Sequence, residues 1–545
     1  METLNGGVQV AQVLKKEGVT YLFTLSGGHI VPIYLAAGEL GIRVIDVRHE
    51  QAAAHAADAW ARITRHLGVA AVTAGPGVTD ALTGVANAYF ADSPMLLLAG
   101  SPPVQEWDRG ALQEMNQLDL FEPITKWAKV VTDPKRIGEY TATAVREALS
   151  EKPGPVYLEI PIDILMERVD PKDATYFEPY RVFSQTSPDA ENIEAAAAIL
   201  KESERSVIIG GSNVYWDHAE VALQDFVTKL NSPVYLNGMG RGCVPSNHSN
   251  FFNLSRHKAL EEADLVVVVG TPLDFRLGYG KFNKAAKVIM IDKDASHMGK
   301  NRPVHEGIVG NIKLSLETLV ENLPQASERP AWFETITQEE SRRRNKIDAL
   351  AKSNKKPTNH YRLCQAVADF IDDDTIVVGD GGDIVACGAR VIPVNKPGNW
   401  MDPGPFGCLG VGPPFAIAAK LAHPDKRVLI LHGDGSFGLN GMEFDTAIRH
   451  DIPIVSIIGN DAGWGQIRNP QVAAFGDEAS LATDLALTHY EKVVEALGGY
   501  GEFVTEPHEI IPALERAFQS GKPACVNVAI DPTTLRGKVD VWYLK

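Results

Sequence analysis

Val428-Leu429-Ile430-Leu431-His432-Gly433-Asp434-Gly435-Ser436 is the stretch of sequence that decides the fold. Its aliphatic run predicts a buried strand, a glycine-rich turn follows, and a helical pattern comes next over Glu443–Arg449. In an α/β sheet, ligands bind beyond the carboxyl ends of the strands, and glycine lets backbone N–H groups approach a phosphate. The carboxylate of Asp434 is a hard oxygen ligand suited to Mg²⁺. Gly-Asp-Gly is also a common turn, so a second motif has to support this interpretation.

A second strand, predicted over Ile454–Ile458, ends in a comparable loop, Gly459-Asn460-Asp461-Ala462-Gly463. Two neighbouring parallel strands joined by a helix bring their loops to the same edge of a sheet. There Asp434 and Asp461 could share one octahedral ion with the oxygens of a diphosphate. The two loops together are therefore much more specific than either loop alone.

The chain of 545 residues divides into three units, each of which alternates short strands with helical patterns. A length of this size suggests about three domains, and the alternation predicts α/β domains with doubly wound parallel sheets. We place these domains at 1–170, 190–340 and 358–545, with linkers at 171–189 and 341–357. The predicted strands are 44–47, 68–72, 95–98, 207–209, 234–236, 265–269, 287–291, 375–378, 428–431, 454–458 and 524–529.

The two loops of the third unit resemble the diphosphate motif of thiamine-diphosphate enzymes. The resemblance implies that the side chains of Asp434 and Asp461 and the carbonyl of Gly463 hold Mg²⁺. The family more often has asparagine at the position of Asp461, which leaves the metal preference open. Contacts to the diphosphate are implied for this loop and for the loop after another strand, namely for Gly433, Gly435, Ser436, Gly381, Gly382 and Asp383.

A glycine-dense stretch, 404–412, precedes an alanine-rich helical pattern. Glycine there lets a flat ring approach the backbone. The resemblance implies that the carbonyl of Gly407 and the N–H of Leu409 contact the aminopyrimidine, and that the Leu409 side chain bends the cofactor. A loop that only packs against a helix is the alternative.

In the first unit, Arg48-His49-Glu50 follows a predicted strand and begins a predicted helix, 51–65. A glutamate at a helix start often serves only as a favourable charge. In the family resemblance, Glu50 protonates N1′ of the aminopyrimidine, and Pro76 and Asn87 match the pattern of this pyrimidine-binding domain. The half-sites of the family meet across a dimer interface. The resemblance therefore implies at least a homodimer, and commonly a homotetramer.

The stretches 23–30 and 459–464 resemble acetolactate-synthase-like proteins that act as 2-hydroxyacyl-CoA lyases. His29 and Gln113 also occur where benzaldehyde lyase carries its active-site histidine and glutamine. The resemblance implies a lyase that cleaves 2-hydroxyacyl-CoA to formyl-CoA and an aldehyde or ketone. His29 would be its base, and Gln113 would hold the substrate oxygen. A carboligase or decarboxylase of free 2-ketoacids or aldehydes, similar to acetolactate synthase or benzaldehyde lyase, is the alternative.

Trp464 and Gln466 follow the second loop of the third unit and are expected to line the substrate pocket. Core packing explains Trp464 equally well. A hypothesis of another class is a non-catalytic nucleotide-binding relative. The presence of Glu50, His29 and Asp434 argues against it.

The middle unit is Rossmann-like, with loops at 270–276 and 292–294 that follow predicted strands. Related middle domains bind ADP, FAD or the nucleotide end of CoA at such loops, so Arg276 and Asp292 are candidate contacts. A domain without a ligand is the alternative, because fold does not fix function. The C-terminal tail resembles that of CoA-handling relatives, in which Arg536 and Lys538 would face CoA phosphates. An ordinary docked terminus explains the tail as well.

The net charge of −17 and the pI of about 5.4 argue against a nucleic-acid-binding protein. The sequence shows neither a signal-peptide pattern nor an apolar run of the roughly 20 residues that span a bilayer, so we expect a soluble, cytoplasmic enzyme of small molecules. Five scattered cysteines are expected to be reduced and buried. The run Ser341-Arg342-Arg343-Arg344 could form an anion site, although a solvated helix face fits the neighbouring polar residues better.

Overall fold

The protein contains three parallel sheets. This computed structural model describes residues 3–176, 178–179, 185–325 and 328–534. Neighbouring strands run parallel throughout these sheets. Alternate residues of a strand enter two different cores, since Val72 packs on one face of the first sheet and Val69 on the other. Burial on both faces confirms the predicted class of three doubly wound α/β domains.

The first sheet has the strand order β2-β1-β3-β4-β6-β5. Its strands are β1 Tyr21–Thr24, β2 Arg43–Asp46, β3 Gly68–Val72, β4 Met95–Ser101, β5 Trp127–Val130 and β6 Val156–Pro161. Its helices are α1 Gly6–Lys16, α2 Val31–Glu39, α3 Glu50–Thr64, α4 Pro76–Phe90, α5 Leu118–Phe121, α6 Ile137–Leu149 and α7 Ile162–Met166.

The middle sheet has the order β11-β10-β9-β7-β8. Its strands are β7 Ser206–Gly210, β8 Val234–Leu236, β9 Leu265–Val269, β10 Lys287–Asp292 and β11 Glu306–Val309. The helices around it are α8 Ala190–Glu202, α9 Ser212–Trp216, α10 Glu220–Leu230, α11 Arg256–Glu262, α12 Ile312–Asn322 and α13 Pro330–Ala351.

The third sheet has the order β13-β12-β14-β15-β17-β16. Its strands are β12 Ile376–Asp380, β13 Trp400–Met401, β14 Val428–Gly433, β15 Val455–Asn460, β16 Tyr500–Val504 and β17 Ala524–Ala529. Its helices are α14 His360–Phe370, α15 Asp383–Val391, α16 Gly412–Ala422, α17 Asp434–Asn440, α18 Glu443–Arg449, α19 Gly465–Phe475, α20 Tyr490–Leu497 and α21 Ile510–Gln519.

The first and third sheets connect their strands in the same order, and one hydrophobic core joins the two domains. Helices α3 and α16 meet in this core. Helix α3 is rich in alanine, and small side chains let two helices pack closely. A buried ion pair between Asp58 and Arg62 also reaches across, because Arg62 donates to the carbonyl of Asp402 at 2.8 Å. The first and third domains therefore form one packed body.

Helix α13 runs across the domain boundary that we placed at residue 340, and it takes up most of the charged stretch expected as a linker. Ion pairs one turn apart support it, because Glu339 binds Arg342 and Arg343. The exact domain limits thus stay predictions. All five cysteines are buried, as expected, and none of them forms a disulfide within the described residues. Within the described ranges, no helix is both long and apolar enough to cross a membrane.

Candidate active site

The carboxyl ends of β12, β14 and β15 lie side by side at one edge of the third sheet. Strand β14 pairs with both neighbours, so that His432 is level with Asp380 and Gly433 with Gly459. Asp434 begins helix α17 directly after β14, and Asp461 follows β15. The register confirms that the two sequence loops share one edge of the sheet.

Asp434 and Asp461 form a buried carboxyl pair at this edge, with exposed fractions of 2% and 8%. The N–H of Gly463 donates to Oδ2 of Asp434 at 3.1 Å. Burial raises the pKa of both acids, and the negative charge of Asp434 raises that of Asp461 further. A buried carboxyl pair in which Asp434 disfavours the ionisation of Asp461 fits a site that takes up a divalent cation.

Arg468 is the cationic partner of Asp461, and the sequence analysis did not identify it. Its Nη2 lies 2.7 Å from Oδ2 of Asp461, and its Nη1 donates to the carbonyl of Ala462 at 3.3 Å. Arg468 is itself buried, on helix α19. The spacing of one carboxylate and one arginine seven residues later carries no motif, so only the fold reveals this pair.

Two glycine loops approach each other above β12 and β14. A Cβ on Gly381 would lie 3.1 Å from the backbone nitrogen of Gly433, and Gly381 has a positive φ of 141°. The hydroxyl of Ser436 donates to the carbonyl of Asp380 at 2.9 Å, which ties the two loops together. Backbone N–H groups at a helix start, free of side chains, suit the binding of a diphosphate.

Trp464 and Gln466 cover these glycine loops. A Cβ on Gly435 would lie 2.6 Å from the Trp464 ring, and a Cβ on Gly382 would overlap Oε1 of Gln466. Asp383, beside this cover, accepts a hydrogen bond from Asn469 at 3.1 Å, and burial raises its pKa. The structure therefore gathers the residues predicted for diphosphate and metal into one cluster.

Asp380 shapes the loop that contains Gly407 and Leu409. Its buried carboxylate accepts the N–H groups of Gly410 and Gly412 at 3.0 and 2.7 Å. On the other side, the amide of Asn440 donates to the carbonyl of Gly410 at 2.8 Å. These contacts fix the glycine-dense stretch against the start of α16. Contacts of Gly407 and Leu409 with an aminopyrimidine stay a prediction.

The carboxyl edge of the first sheet collects Glu50, His29 and Gln113 around the turn that follows β3. Nδ1 of His29 lies 3.1 Å from Oγ1 of Thr73. A Cβ on Gly77 would lie 2.9 Å from Cγ2 of Thr73 and 3.2 Å from Oε1 of Glu50, so glycine leaves room for both side chains. Sequence alone gave no reason to select Thr73.

Gln113 reaches the same turn from the segment after β4. A Cβ on Gly75 would lie 2.9 Å from that of Gln113, and the N–H of Gly75 donates to the side chain of Gln117 at 2.6 Å. Pro76 then begins helix α4. Glu50 is 8% exposed, while His29 is half-buried and burial lowers its pKa. A low pKa keeps an imidazole neutral and able to accept a proton near neutral pH.

Two other predicted residues, Asn87 and Arg276, have partners inside the protein. Asn87 is buried and donates to Asp58 at 2.9 Å. The guanidinium of Arg276 binds Asp274 through Nε and Nη2, the latter at 2.6 Å. Asp274 accounts for the guanidinium of Arg276, whereas Oδ1 of Asn87 is buried without a hydrogen-bond partner among the described residues.

Asp292 is fully buried at the end of β10. It accepts hydrogen bonds from Asn213 and from the N–H of Asp294, and Nδ1 of His297 lies 3.0 Å away. Its oxygens thus have protein partners, and a nucleotide contact there stays a prediction. Arg536 and Lys538 of the tail lie outside the described residues.

Comparison with known families agrees with this geometry. Residues 4–120 match the N-terminal TPP binding domain of thiamine pyrophosphate enzymes, 193–319 match the central domain, and 380–528 match the C-terminal TPP binding domain. The two parallel-sheet domains with their loop clusters are those of a cofactor-dependent enzyme. The chain belongs to the thiamine pyrophosphate enzymes, and its binding domains imply thiamine diphosphate as the cofactor.

The chain is similar to two kinds of curated relatives over nearly its whole length. It is 39% identical to the acetolactate synthase large subunit IlvG of Mycobacterium tuberculosis, covering 98% of this chain and 97% of the relative. It is 37% identical to the 2-hydroxyacyl-CoA lyase 2 of Bos taurus and 36% identical to that of Homo sapiens, covering 98% of this chain and 91% of each relative. These similarities establish the family and leave two reactions as candidates.

Proposed function

We propose that this enzyme cleaves the C–C bond of 2-hydroxyacyl-CoA thioesters, giving formyl-CoA and an aldehyde or ketone, with thiamine diphosphate and Mg²⁺. The observation that carries the proposal is the juxtaposition of His29, Thr73 and Glu50 at one sheet edge. It supplies a base beside the glutamate that the family resemblance assigns to the cofactor. The similarity to 2-hydroxyacyl-CoA lyase 2 supports the same substrate class.

The roles of the residues follow from their chemistry. Bound thiamine diphosphate supplies the electron sink for the cleaved bond. Glu50 would hold a proton at N1′ of the pyrimidine, and His29 would accept the proton of the substrate's 2-hydroxyl. Breaking the C–C bond then releases the carbonyl product, and a proton returns to the acyl carbon to give formyl-CoA. Gln113 would hold the substrate oxygen.

The metal would be held by the side chains of Asp434 and Asp461 and by the carbonyl of Gly463. The carboxyl pair contributes hard oxygen ligands, which Mg²⁺ prefers. In the described part of the chain, no group of three or more His, Cys, Asp or Glu side chains is placed to hold a metal. The two carboxylates therefore need further oxygens, which a bound diphosphate would supply.

Carboligation of free 2-ketoacids is the second candidate, and the Mycobacterium tuberculosis relative is an acetolactate synthase large subunit. Its similarity of 39% over 98% of the chain is the observation that favours it. The two candidates share the cofactor and differ in the substrate. Glu50 and the metal loops would serve both.

Competing substrates test the proposal. The purified enzyme with thiamine diphosphate and Mg²⁺ is supplied with 2-hydroxyacyl-CoA thioesters of several chain lengths, or with pyruvate. We expect formyl-CoA together with a carbonyl product from the thioesters, measured by chromatography and mass spectrometry. Acetolactate from pyruvate, without turnover of any thioester, would favour the second candidate and refute the first.

A further inference from the structure

A cavity of about 270 Å³ lies between the middle domain and the third domain, outside the candidate active site. Its walls come from the segment after β8, from helix α13 and from the C-terminal end of α15. Hydrogen bonds close the seam around it, since Ser246 donates to the carbonyl of Val394 at 3.0 Å and Asn253 to that of Ala389 at 2.9 Å. We call it the arginine cavity because Arg241, Arg344 and Arg390 line it.

The arginine cavity contains one carboxylate for its three guanidinium groups. That carboxylate, Glu340, accepts the N–H groups of Leu254 and Ser255, both at 2.8 Å, and the hydroxyl of Ser255 at 2.9 Å. The negative charge of Glu340 is thus already stabilised by the N–H groups at the start of helix α11. It lies 3.8 Å from Arg344, a long ion pair. The cavity keeps an excess of positive charge in a chain whose net charge is −17.

Each arginine of the cavity has donors left over. Arg241 gives one N–H to the carbonyl of Ala389 at 3.3 Å, and its Nε is buried without a partner among the described residues. Arg344 donates to the carbonyl of Arg390 at 3.1 Å, and Arg390 donates to the hydroxyl of Tyr361 at 2.9 Å. The hydrogen bonds to the carbonyls at the end of α15 therefore occupy only some of the arginine N–H groups, because each guanidinium carries five of them.

Helix α13 provides an internal comparison. Arg342 and Arg343 both bind Glu339 on the outer face of the helix, with side chains that are 54% and 40% exposed. Arg344, the next residue, faces the arginine cavity instead. Of the arginine run, two side chains thus pair with Glu339, and one, Arg344, lines the cavity while it is 38% exposed and lies 3.8 Å from Glu340 of the same helix.

We propose that the arginine cavity binds a phosphate dianion, either free or as the phosphate group of a small ester. Three guanidinium groups and one carboxylate leave a charge that a dianion balances. Planar guanidinium forks match phosphate oxygens in bidentate pairs. The cavity lies just below the roughly 300–1,000 Å³ of sites for drug-sized ligands, so a dinucleotide is too large. A bound phosphate would connect the middle domain to α15.

Isothermal titration calorimetry tests this proposal. The enzyme is first saturated with thiamine diphosphate and Mg²⁺, so that phosphate cannot occupy the predicted cofactor site. It is then titrated with inorganic phosphate and, separately, with adenosine monophosphate. We expect saturable binding with one site per chain. Equal affinities would identify a free-phosphate site, and tighter binding of the nucleotide would identify a phosphate ester.

Matched variants locate the binding. Arg344→Gln and Arg390→Gln should each weaken it about tenfold or more, because each substitution removes a charge-assisted hydrogen bond to the phosphate. Arg342→Gln, on the same helix but paired with Glu339, should leave it unchanged. Circular dichroism confirms that the variants are folded. The absence of saturable binding to the parent enzyme, or equal binding by the Arg344, Arg390 and Arg342 variants, would overturn the proposal.

Discussion

Oδ2 of Asp461 lies 2.7 Å from Nη2 of Arg468, and both side chains are buried. The thiamine-diphosphate motif more often has a neutral asparagine at this position. Here the carboxylate of Asp461 is paired with the guanidinium of Arg468, and the pair together carries no net charge. The two residues therefore act as one unit, in which Arg468 offsets the charge of Asp461.

Asp461→Asn should weaken the binding of Mg²⁺ about tenfold, or about 1.4 kcal/mol. The amide has one oxygen, for which the metal and Arg468 then compete. Isothermal titration calorimetry of Mg²⁺ binding, at saturating thiamine diphosphate, measures the change. The double variant Asp461→Asn/Arg468→Met removes the competing donor and should recover most of the affinity. If the double variant loses Mg²⁺ affinity by the sum of the losses of the two single substitutions, the two residues do not form a unit.

The sequence was sufficient for those features of the site that depend on one strand and its loop. Strand β9, Leu265–Val269, was predicted with its observed limits because an uninterrupted run of aliphatic residues is typical of a buried parallel strand. The common edge of the Asp434 and Asp461 loops followed from the rule that a helix joins neighbouring parallel strands. Local patterns of this kind need no knowledge of distant contacts.

Glu50→Gln should lower turnover by at least about a hundredfold, because an amide cannot exchange a proton with the pyrimidine ring. The exchange of the C2 proton of bound thiamine diphosphate should slow together with turnover. Proton NMR in deuterium oxide measures this exchange. His29→Ala is the matched comparison from the same edge of the sheet. It should abolish turnover and leave the C2 exchange close to that of the parent enzyme. Unchanged exchange in Glu50→Gln would contradict the role assigned to Glu50.

Thr73→Val should reduce kcat/KM about fivefold, because it removes one hydrogen bond worth about 1 kcal/mol while keeping the shape of the side chain. The lost bond joins Thr73 to Nδ1 of His29 at 3.1 Å and orients the imidazole. Thr73→Ser keeps the hydroxyl and should retain the parent activity. Because burial lowers the pKa of His29 below 6.5, the acidic limb of kcat/KM should lie below that pH in the parent. A valine variant as active as the serine variant would exclude a positioning role for Thr73.

Contacts between distant parts of the chain account for what sequence reasoning did not reach. Neither Thr73 nor Arg468 belongs to a recognisable sequence motif. Their roles follow from the contacts that folding makes with His29 and Asp461. We placed residues 341–357 in a linker because this stretch is charged, although we favoured a solvated helix face for its arginine run, and ion pairs one turn apart stabilise helix α13 as far as Ala351. Strand β13 has only two residues, too few for a pattern.

Glu443→Gln should remove a pH dependence of stability. The carboxyl of Glu443 is 1% exposed, contacts the N–H of Arg48 at 3.0 Å, and accepts from the hydroxyl of Thr446 at 2.6 Å. Burial raises its pKa from 4.5 to about 7. An acid with a raised pKa in the folded state favours folding only while it is protonated, so stability falls as the pH rises through this window. The loss attributable to Glu443 is about 3 kcal/mol.

Urea unfolding of the parent and of Glu443→Gln between pH 4.5 and 8 measures this dependence. The glutamine variant should be close to the parent at pH 4.5 and increasingly more stable toward pH 7, because the neutral amide keeps the contact with Arg48 without a buried charge. Asp445→Asn, on the same helix and partly exposed, should leave the slope unchanged. A variant whose stability runs parallel to that of the parent over the whole range would show that Glu443 does not titrate in this window.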